Sequence, residues 1–208
     1  MRIPQEAHTE QHWRIHEFTP DFRIEDVWSF RAPGAGPDDF PVMVDAIKAA
    51  YDSRKDPFPV RFLFAVRWKL GALFGWDTPQ AGVGERVTSL RNRLPQDLAQ
   101  TADDATPCTD PFTELYQTDN EAARELANET VHDIMHLGWV QVDDGYELRM
   151  AALVKPNGAF GRLYMGFIAP FRYLIIYPAL TEQWERAWLD RGRLLAKANP
   201  ESPDQSQA

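Results

Sequence analysis

The chain has 208 residues, 44% of them hydrophobic and 25% charged, which is the mixture of a soluble domain with a sizeable core. Its formal net charge of -9 makes nucleic acid a poor partner, because so acidic a chain repels phosphate unless it carries a concentrated basic patch. The single cysteine, Cys108, excludes an internal disulfide, and no His or Lys beside it in the sequence would activate the thiol.

The sequence predicts one domain. We expect a flexible N-terminus over residues 1–11, a single domain over 12–196 and a disordered tail over 197–208. The first residues lack the apolar core of a signal peptide, which favours a cytoplasmic location. The most apolar segments contain basic residues and fall short of about 20 uninterrupted apolar residues, which argues against an integral membrane protein.

Composition and periodicity predict the elements of the first half in order. Residues 12–18, "HWRIHEF", alternate apolar and polar side chains and predict a strand. Residues 38–51 predict a short helix that begins with two acidic residues. The apolar segment 60–76 predicts a buried helix, with a helix on a membrane surface as the alternative. A short helix near 86–94 and an acidic loop over 101–110 follow.

The second half carries clearer signals of a sheet. Residues 111–119 predict a strand, and residues 120–128, "NEAARELAN", predict a short helix. The segments 131–141 and 146–155 flank an Asp-Gly pair at 144–145, which is a strong signal of a β-hairpin. We therefore expect these two segments to be paired antiparallel strands.

A long C-terminal helix is predicted to follow the sheet. A Pro-Asn-Gly turn first leads to a third predicted strand over residues 161–169. The helix is then predicted from Pro170, because proline suits the first position of a helix. Pro178 interrupts this helix and is expected to kink it. The helix has one continuous apolar face, formed by Leu174, Tyr177, Thr181, Trp184 and Trp188.

The stretch "TVHDIMHLGWV", residues 130–140, allows two interpretations. On a helix, His132 and His136 would share a face and resemble the H-E-x-x-H pattern of zinc hydrolases, with Asp133 in place of its glutamate. That interpretation requires an unbroken helix over residues 121–137. On the strand that the hairpin predicts, the two histidines lie about 13 Å apart and cannot share one zinc ion. The sequence therefore predicts no metal site.

A strand over 131–141 has two alternating faces, and the sequence leaves open which of them points inward. One face carries Asp133 among apolar residues. If that face is internal, burial raises the pKa of the carboxyl and makes Asp133 a candidate base. The other face carries His132 and His136, which would then be polar groups of a cavity with pKa values near neutrality. A structural hydrogen bond is the simpler explanation of either.

Several blocks of the sequence, in order, carry a family resemblance. They are "WRIHEFTPDFRIEDVW", "VRFLFAVRWKLGALFGW", "PFTELYQTD", "TVHDIMHLGWV" and "LVKPNGAFGRLYMGFIAPFRYLIIYPAL". Together they resemble the DUF2867 family of uncharacterised bacterial proteins, over about residues 12–190. The resemblance implies an α+β helix-grip fold of the START/Bet v 1-like (SRPBCC) superfamily. Such a fold has a first strand, a helical insertion, a curved antiparallel sheet and a long C-terminal helix packed on the sheet.

The resemblance also bears on partners. Members of this family occur fused behind dinucleotide-binding domains of the short-chain dehydrogenase type, which implies a functional link to such a protein. The chain itself has no G-x-G-x-x-G motif after a strand near its N-terminus, so we expect no nucleotide cofactor.

The helix-grip fold implies a cavity between the sheet and the C-terminal helix. We expect this cavity to hold a small hydrophobic molecule, without a cofactor or a metal ion. The expected ligand-binding residues are Tyr116, His132, His136, Met150, Tyr164 and Trp184. The alternative is an enzyme of the cyclase, hydrolase or isomerase type. Its acid, base or oxyanion groups would be His132, His136, Asp133 and Arg149.

Overall fold

The computed structural model of the protein describes residues 1–52, 88–101, 112–127, 131–156 and 158–198. In these residues the chain forms an α+β domain built on a six-stranded antiparallel sheet, in the order β1-β2-β6-β5-β4-β3. The first long strand, β2, therefore lies beside the last strand, β6. The strands are β1 (Arg2–Ile3), β2 (Arg23–Pro33), β3 (Thr113–Gln117), β4 (Glu121–Ala127), β5 (Val131–Val142) and β6 (Gly145–Pro156).

Three predicted features lie outside the described residues. They are the apolar helix over 60–76, the loop that contains Cys108 and the tail beyond residue 198. The first eleven residues, in contrast, are part of the packed domain. Arg2 and Ile3 pair with Trp28 and Val27 of β2.

The helix predicted over 38–51 is confirmed as α2 (Phe40–Asp52). A 3₁₀ turn (Pro37–Asp39) precedes it, and the Asp39 carboxylate accepts a hydrogen bond of 2.7 Å from the N–H of Gly36. This bond satisfies a backbone donor at the start of the helical segment. Other helices are α1 (Glu6–Thr9), α3 (Gln96–Ala99), α4 (Gly158–Phe171), α5 (Tyr177–Leu189) and α6 (Arg191–Ala198).

The predicted hairpin is confirmed. β5 and β6 pair from Val131 with Pro156 to Val142 with Gly145, and Gly145 has a φ of 132°, which residues with a side chain rarely adopt. The strand predicted over 111–119 is confirmed as β3. Because residues 131–142 are extended, the helix that a zinc-hydrolase motif requires is not formed.

The helix predicted over 120–128 is wrong, because residues 121–127 form β4. Its Ala, Glu, Arg and Leu residues favour a helix in isolation. Pairing with β5 overrides that preference, and it sets Glu121 and Glu125 beside His136 and His132 on the same face of the sheet. Tertiary hydrogen bonds thus decide the conformation of this segment.

The strand predicted over 161–169 is also wrong, because these residues belong to α4. The helix begins at Gly158, whose φ of 69° ends the extended chain, and continues past Pro170. The segment is apolar at nearly every position, so it shows neither the period of a strand nor that of a helix. Pro170 consequently lies inside a helix and not at its first position.

Residues 12–18 do not form the predicted strand either. They contain a 3₁₀ turn (Arg14–Glu17), and the first long strand begins only at Arg23. Trp13, Ile15 and Phe18 are buried against the face of the sheet. The apolar residues of this segment therefore cover the sheet and do not pair with its edge.

Both faces of the sheet are covered. On the face that we call the helix face, α2 and α5 pack against the strands, and the buried rings include Trp28, Phe30, Trp139, Tyr177, Trp184 and Trp188. On the opposite face, which we call the N-terminal face, the segments 4–22 and 88–101 cover the strands. Their core includes Trp13, Ile15, Phe18, Leu90, Leu98 and Ile134. Both alternating faces of β5 thus point into a core.

The predicted apolar stripe of the C-terminal helix is confirmed at Tyr177, Trp184 and Trp188, which are buried. It is wrong at Leu174, which is 77% exposed. Leu174 lies within a turn of π-helix, Arg172–Ile176, which precedes the buried part of the stripe. Its extra residue rotates Leu174 out of the register that regular α-helix spacing gives.

The helix before the π-helical turn, α4, carries exposed apolar side chains. Leu163 and Phe167 are 71% and 66% exposed, and they lie on α4 with Phe171 next to Phe167. The segment Gly161–Leu189 is long and apolar enough to cross a membrane by the measures of length and composition.

Candidate functional site

The two central strands carry an accessible stretch on the helix face. Asp133 and Met135 of β5 and Ala152 of β6 are half-buried, although Met135 and Ala152 are direct partners in the middle of the sheet. One pair further along the same face, Leu137 and Met150 are 4% and 3% exposed. A mid-sheet residue keeps its access to solvent only where the covering elements leave a gap. We call this gap the Asp133 depression (Asp133, Met135, Ala152).

The π-helical turn lies on the same face. Its widened geometry shows in the hydrogen bond from the N–H of Tyr177 to the carbonyl oxygen of Arg172, five residues back. Pro178 follows directly, and in a regular α-helix its ring would clash with the carbonyl four residues back. The wide turn avoids that clash. The kink predicted at Pro178 is therefore a π-helical turn just before the proline. Such turns are frequent at functional sites.

Residues of this turn surround a buried carboxylate, Asp26 of β2. Asp26 is 1% exposed and lies at an irregularity in the pairing of β2 with β6. Its Oδ2 accepts a hydrogen bond of 2.9 Å from the Tyr177 hydroxyl. Arg172 and Tyr173 also donate to the same carboxylate. Nη2 of Arg2 lies 3.9 Å from Oδ1, so two cations and two hydroxyl donors compensate the charge of Asp26.

The surroundings of Asp26 keep these donors protonated. Burial raises the pKa of Tyr177, the charge of Arg172 offsets part of the rise, and the charge of Asp26 adds to it. Burial and the hydrogen bond to Asp26 likewise raise the pKa of Tyr173. Burial alone would lower the pKa of Arg172, but the neighbouring groups, Tyr177 and Asp26 first, raise it.

Asp133 has the opposite environment. Its Oδ1 is inaccessible to solvent and has no hydrogen-bond partner in the described parts of the chain. Burial raises the pKa of Asp133 to about 7, although the charge of Arg172 opposes the rise. The Nε of Arg172 is a second buried atom with no partner there. Such atoms are few in native proteins, so an unpaired acceptor and an unpaired donor on facing elements call for an explanation.

A chain of hydrogen bonds crosses the N-terminal face. Nε2 of His136 lies 2.9 Å from Oε2 of Glu121, Nε2 of His8 lies 3.0 Å from Nδ1 of His136, and Nε2 of His16 lies 3.2 Å from Nδ1 of His8. We call these four residues the histidine chain. Glu121 also accepts from the Tyr116 hydroxyl at 3.1 Å.

Hydrogen bonds and burial shift pKa values within the histidine chain. The pKa of Glu121 is lowered because hydrogen bonds, that from His136 first, outweigh its burial. An ionised carboxylate can only accept, so His136 donates to Glu121 through Nε2. His8 and His16 are neutral, because burial lowers the pKa of each. The pKa of His8 falls to about 2.

His132 has a structural role on the same face. Its Nε2 lies 3.0 Å from Oε2 of Glu125. The same carboxylate accepts from the N–H of Leu90 at 3.1 Å and from the hydroxyl of Ser89. His132 and Glu125 therefore fasten the segment 88–101 to the sheet.

The residues that the sequence predicts to bind a ligand lie on opposite faces of the sheet. Tyr116, His132 and His136 lie on the N-terminal face. Met150 and Trp184 lie in the core of the helix face. The side chain of Tyr164, on α4, is outside the described parts of the structure.

The proposed catalytic residues are divided in the same way. Asp133 faces the helices, whereas His132 and His136 face the N-terminal segments. Arg149 also lies on the N-terminal face, where its guanidinium donates to Glu147 at 2.8 Å and to the carbonyl of Ala7 at 3.1 Å. Of these four residues, Asp133 therefore lies on the helix face, which carries the depression, and the other three lie on the N-terminal face.

Sequence reasoning missed Asp26, Arg172 and Tyr173. A signal exists for Arg172, which is the single charged residue in "GFIAPFRYLIIYPAL". A lone charge inside so apolar a helix indicates a buried partner. The partner itself, 146 positions away, cannot be found from local spacing.

The described residues contain no group of three or more His, Cys, Asp or Glu side chains that could hold a metal ion. The histidine chain illustrates why, since His8 turns its two ring nitrogens toward two different neighbours. Its nitrogens therefore do not converge on one point, as the ligands of a zinc ion must.

Comparison with known proteins gives one match. The family model described as "Protein of unknown function (DUF2867)" matches residues 18–179. No curated protein matches the chain. No solved structure matches it either.

Proposed function

We propose that this chain, which belongs to the DUF2867 family, binds a small, mainly apolar molecule in the Asp133 depression. The observation that carries the proposal is that Met135 and Ala152, direct partners in the middle of the sheet, are only half-buried, whereas the next pair, Leu137 and Met150, is buried. An apolar molecule that fills such a gap removes that surface from water, which is favourable by about 25 cal/mol per Å².

The surroundings fit a ligand that is apolar along most of its surface. Val154 and Met165 form a buried apolar cluster at one end of the Asp133 depression, and Leu137 and Met150 lie at the other end. The polar groups beside it are Asp133 and Arg172, together with Arg124 and Asp26, the cross-strand partners of Met135 and Ala152. Mostly apolar walls with a few placed polar groups are typical of small-molecule sites.

The START/Bet v 1-like assignment is part of the same proposal. Two features support it: the first long strand lies beside the last, and a long C-terminal helix packs on the sheet. In that superfamily the space between sheet and helix is where a ligand is expected, which agrees with the position of the Asp133 depression.

Titration of a neutral apolar dye, N-phenyl-1-naphthylamine, tests the proposal by its fluorescence. We expect saturable binding to the wild type and at least tenfold weaker binding to Ala152→Trp, whose ring fills the gap. Ala196→Trp, at an exposed position of α6, is the matched control and should bind like the wild type. Ala152→Leu adds less volume and should weaken binding by a smaller factor. Absence of saturable binding to the wild type contradicts the proposal.

A second candidate function is acid–base catalysis on the bound molecule. It rests on Asp133, because a carboxyl with a pKa of about 7 is a suitable general base at neutral pH. Arg172 would stabilise the negative charge that proton removal creates. The test is exchange of the α-protons of 4-phenylbutan-2-one in D₂O, followed by NMR. Exchange faster than in buffer and lost in Asp133→Asn supports catalysis, and exchange at the buffer rate excludes it for this ketone.

A further inference from the structure

Two of the unpaired buried atoms on the helix face form a complementary pair. Oδ1 of Asp133 is an acceptor and Nε–H of Arg172 is a donor, and neither has a partner in the described residues. The two side chains lie on the same side of the sheet: Nη1 of Arg172 is 3.8 Å from the sulfur of Met165, which packs against Val154, the cross-strand partner of Asp133. They project from different elements, β5 and the π-helical turn, and both adjoin the Asp133 depression.

The rest of the cluster holds Arg172 in place. Its Nη2 is committed to Asp26, and the same atom lies 3.6 Å from Glu25. The guanidinium therefore cannot turn its Nε away without breaking a buried ion pair, which is strongly unfavourable. Asp133 is fixed by the pairing of β5 with Leu126 of β4 and Val154 of β6. The donor and the acceptor are thus presented by rigid parts of the fold.

We propose that the ligand carries a primary carboxamide or a similar head group, with a carbonyl that accepts from Nε of Arg172 and an N–H that donates to Oδ1 of Asp133. This inference rests on the proposed function, since it specifies the polar end of the molecule that occupies the Asp133 depression. A buried donor or acceptor without a partner is unfavourable, and a ligand that pairs both removes that penalty. An anionic carboxylate would satisfy Arg172 but repel ionised Asp133.

Three probes with the same apolar body separate the two contacts. 4-Phenylbutanamide offers an acceptor and a donor, methyl 4-phenylbutanoate offers an acceptor alone, and butylbenzene offers neither. Their dissociation constants are measured at pH 8 by displacement of N-phenyl-1-naphthylamine. We expect the amide to bind about tenfold more tightly than the ester, and the ester about tenfold more tightly than the hydrocarbon.

Two variants test which residue is responsible for each of the two affinity ratios. Asp133→Leu removes the acceptor and should reduce the ratio between amide and ester to near one. Arg172→Lys keeps a cation for Asp26 but removes Nε–H, and should reduce the ratio between ester and hydrocarbon. Asp45→Leu, at an exposed position of α2, is the control and should leave both ratios unchanged. Circular dichroism establishes that each variant is folded.

The outcomes distinguish the inference from the proposed function. Equal affinities of the three probes for the wild type overturn the head-group inference, while saturable binding of the dye still supports the proposed function. Ratios that persist in both Asp133→Leu and Arg172→Lys also overturn it, because the head group is then recognised elsewhere. No saturable binding of dye or probes contradicts the proposed function and the inference together.

Discussion

Asp26 and Asp133 show, at the scale of single residues, how position determines what a carboxyl group can do. Both lie on the helix face. Asp26 accepts from Arg172 and two tyrosines, so that its charge is stabilised inside the protein. Asp133 has an unpaired oxygen and burial raises its pKa to about 7, so that its charge is disfavoured. One carboxyl stabilises the turn that faces the sheet, and the other has a buried oxygen without a partner in the described residues.

The charge of Asp133 predicts a pH-dependent effect of Asp133→Asn. The pKa of this group rises from 3.8 in the unfolded chain to about 7 in the fold, so its destabilising effect grows from pH 3.8 to pH 7 and is complete above. The gain in unfolding free energy from Asp133→Asn should be larger at pH 8 than at pH 5.5, by about 1–2 kcal/mol after allowance for partial exposure.

Urea unfolding of the wild type and Asp133→Asn at the two pH values measures this difference. Asp45→Asn, at an exposed position of α2, controls for the loss of one negative charge from a protein of net charge -9. A gain that is the same at both pH values means that Asp133 is ionised throughout this range.

The sequence anticipated part of this behaviour. Alternation along residues 131–141 predicts that Asp133 shares a face with Met135 and Leu137, and that burial of this face raises its pKa. Arg172 and Asp26 could not be paired from the sequence, because their contact spans 146 positions and depends on the path of the whole helix.

At the scale of elements, the wrong predictions for β4 and α4 have one physical cause. β4 is rich in helix-forming residues but pairs with β5, and α4 is so apolar that its sequence shows no period. In both segments tertiary contacts outweigh local preference. The β5–β6 hairpin and α2 were predictable because their turn and start signals are local, at Gly145 and Asp39.

The packing of α5 on the sheet predicts that Trp184→Ala is severely destabilising. Trp184 is 4% exposed and its ring lies 4.6 Å from that of Phe30 on β2. Truncation of a buried Trp costs roughly 3–5 kcal/mol, because it removes apolar contact and leaves a cavity. Thermal unfolding should show a melting temperature many degrees below that of the wild type.

Leu189→Ala is the control for this prediction within the same helix. Leu189 is 66% exposed, so its truncation should change the unfolding free energy by no more than about 0.5 kcal/mol. Equal melting temperatures of Trp184→Ala and Leu189→Ala would show that the sheet does not hold this helix.

At the scale of the whole molecule, the sheet separates two polar systems. The histidine chain fastens residues 8–16 to the N-terminal face. The Asp26 and Asp133 groups lie on the helix face, beside the accessible part of the sheet. The first system is hydrogen-bonded from Glu121 to His16 and supports the fold, whereas the second contains Oδ1 of Asp133 and Nε of Arg172, which have no partner in the described residues.

The histidine chain predicts a loss of stability in acid. The pKa of His8 is about 2 in the fold and 6.5 in the unfolded chain, so its contribution is complete above pH 6.5 and is lost as the pH falls below that value. Between pH 6 and pH 5 this group alone should lower the unfolding free energy by about 1 kcal/mol. Asp133 acts in the opposite direction over the same range.

Comparison with His8→Gln isolates the contribution of His8, because Asp133 is the same in both proteins. Urea unfolding at several pH values between 7 and 5 should give a steeper loss of stability for the wild type than for His8→Gln. Equal slopes would mean that His8 takes up a proton in the folded protein as readily as in the unfolded one.

We propose that a small apolar molecule with a polar head group binds on the helix face, in the Asp133 depression. The most direct measurement is a titration of 4-phenylbutanamide followed by methyl NMR of the methionine and alanine side chains. We predict saturable shifts at Met135 and Ala152, with no comparable shift at Ala123 on the N-terminal face. Shifts centred on Ala123, or no saturable shift at Met135 and Ala152, would contradict the account.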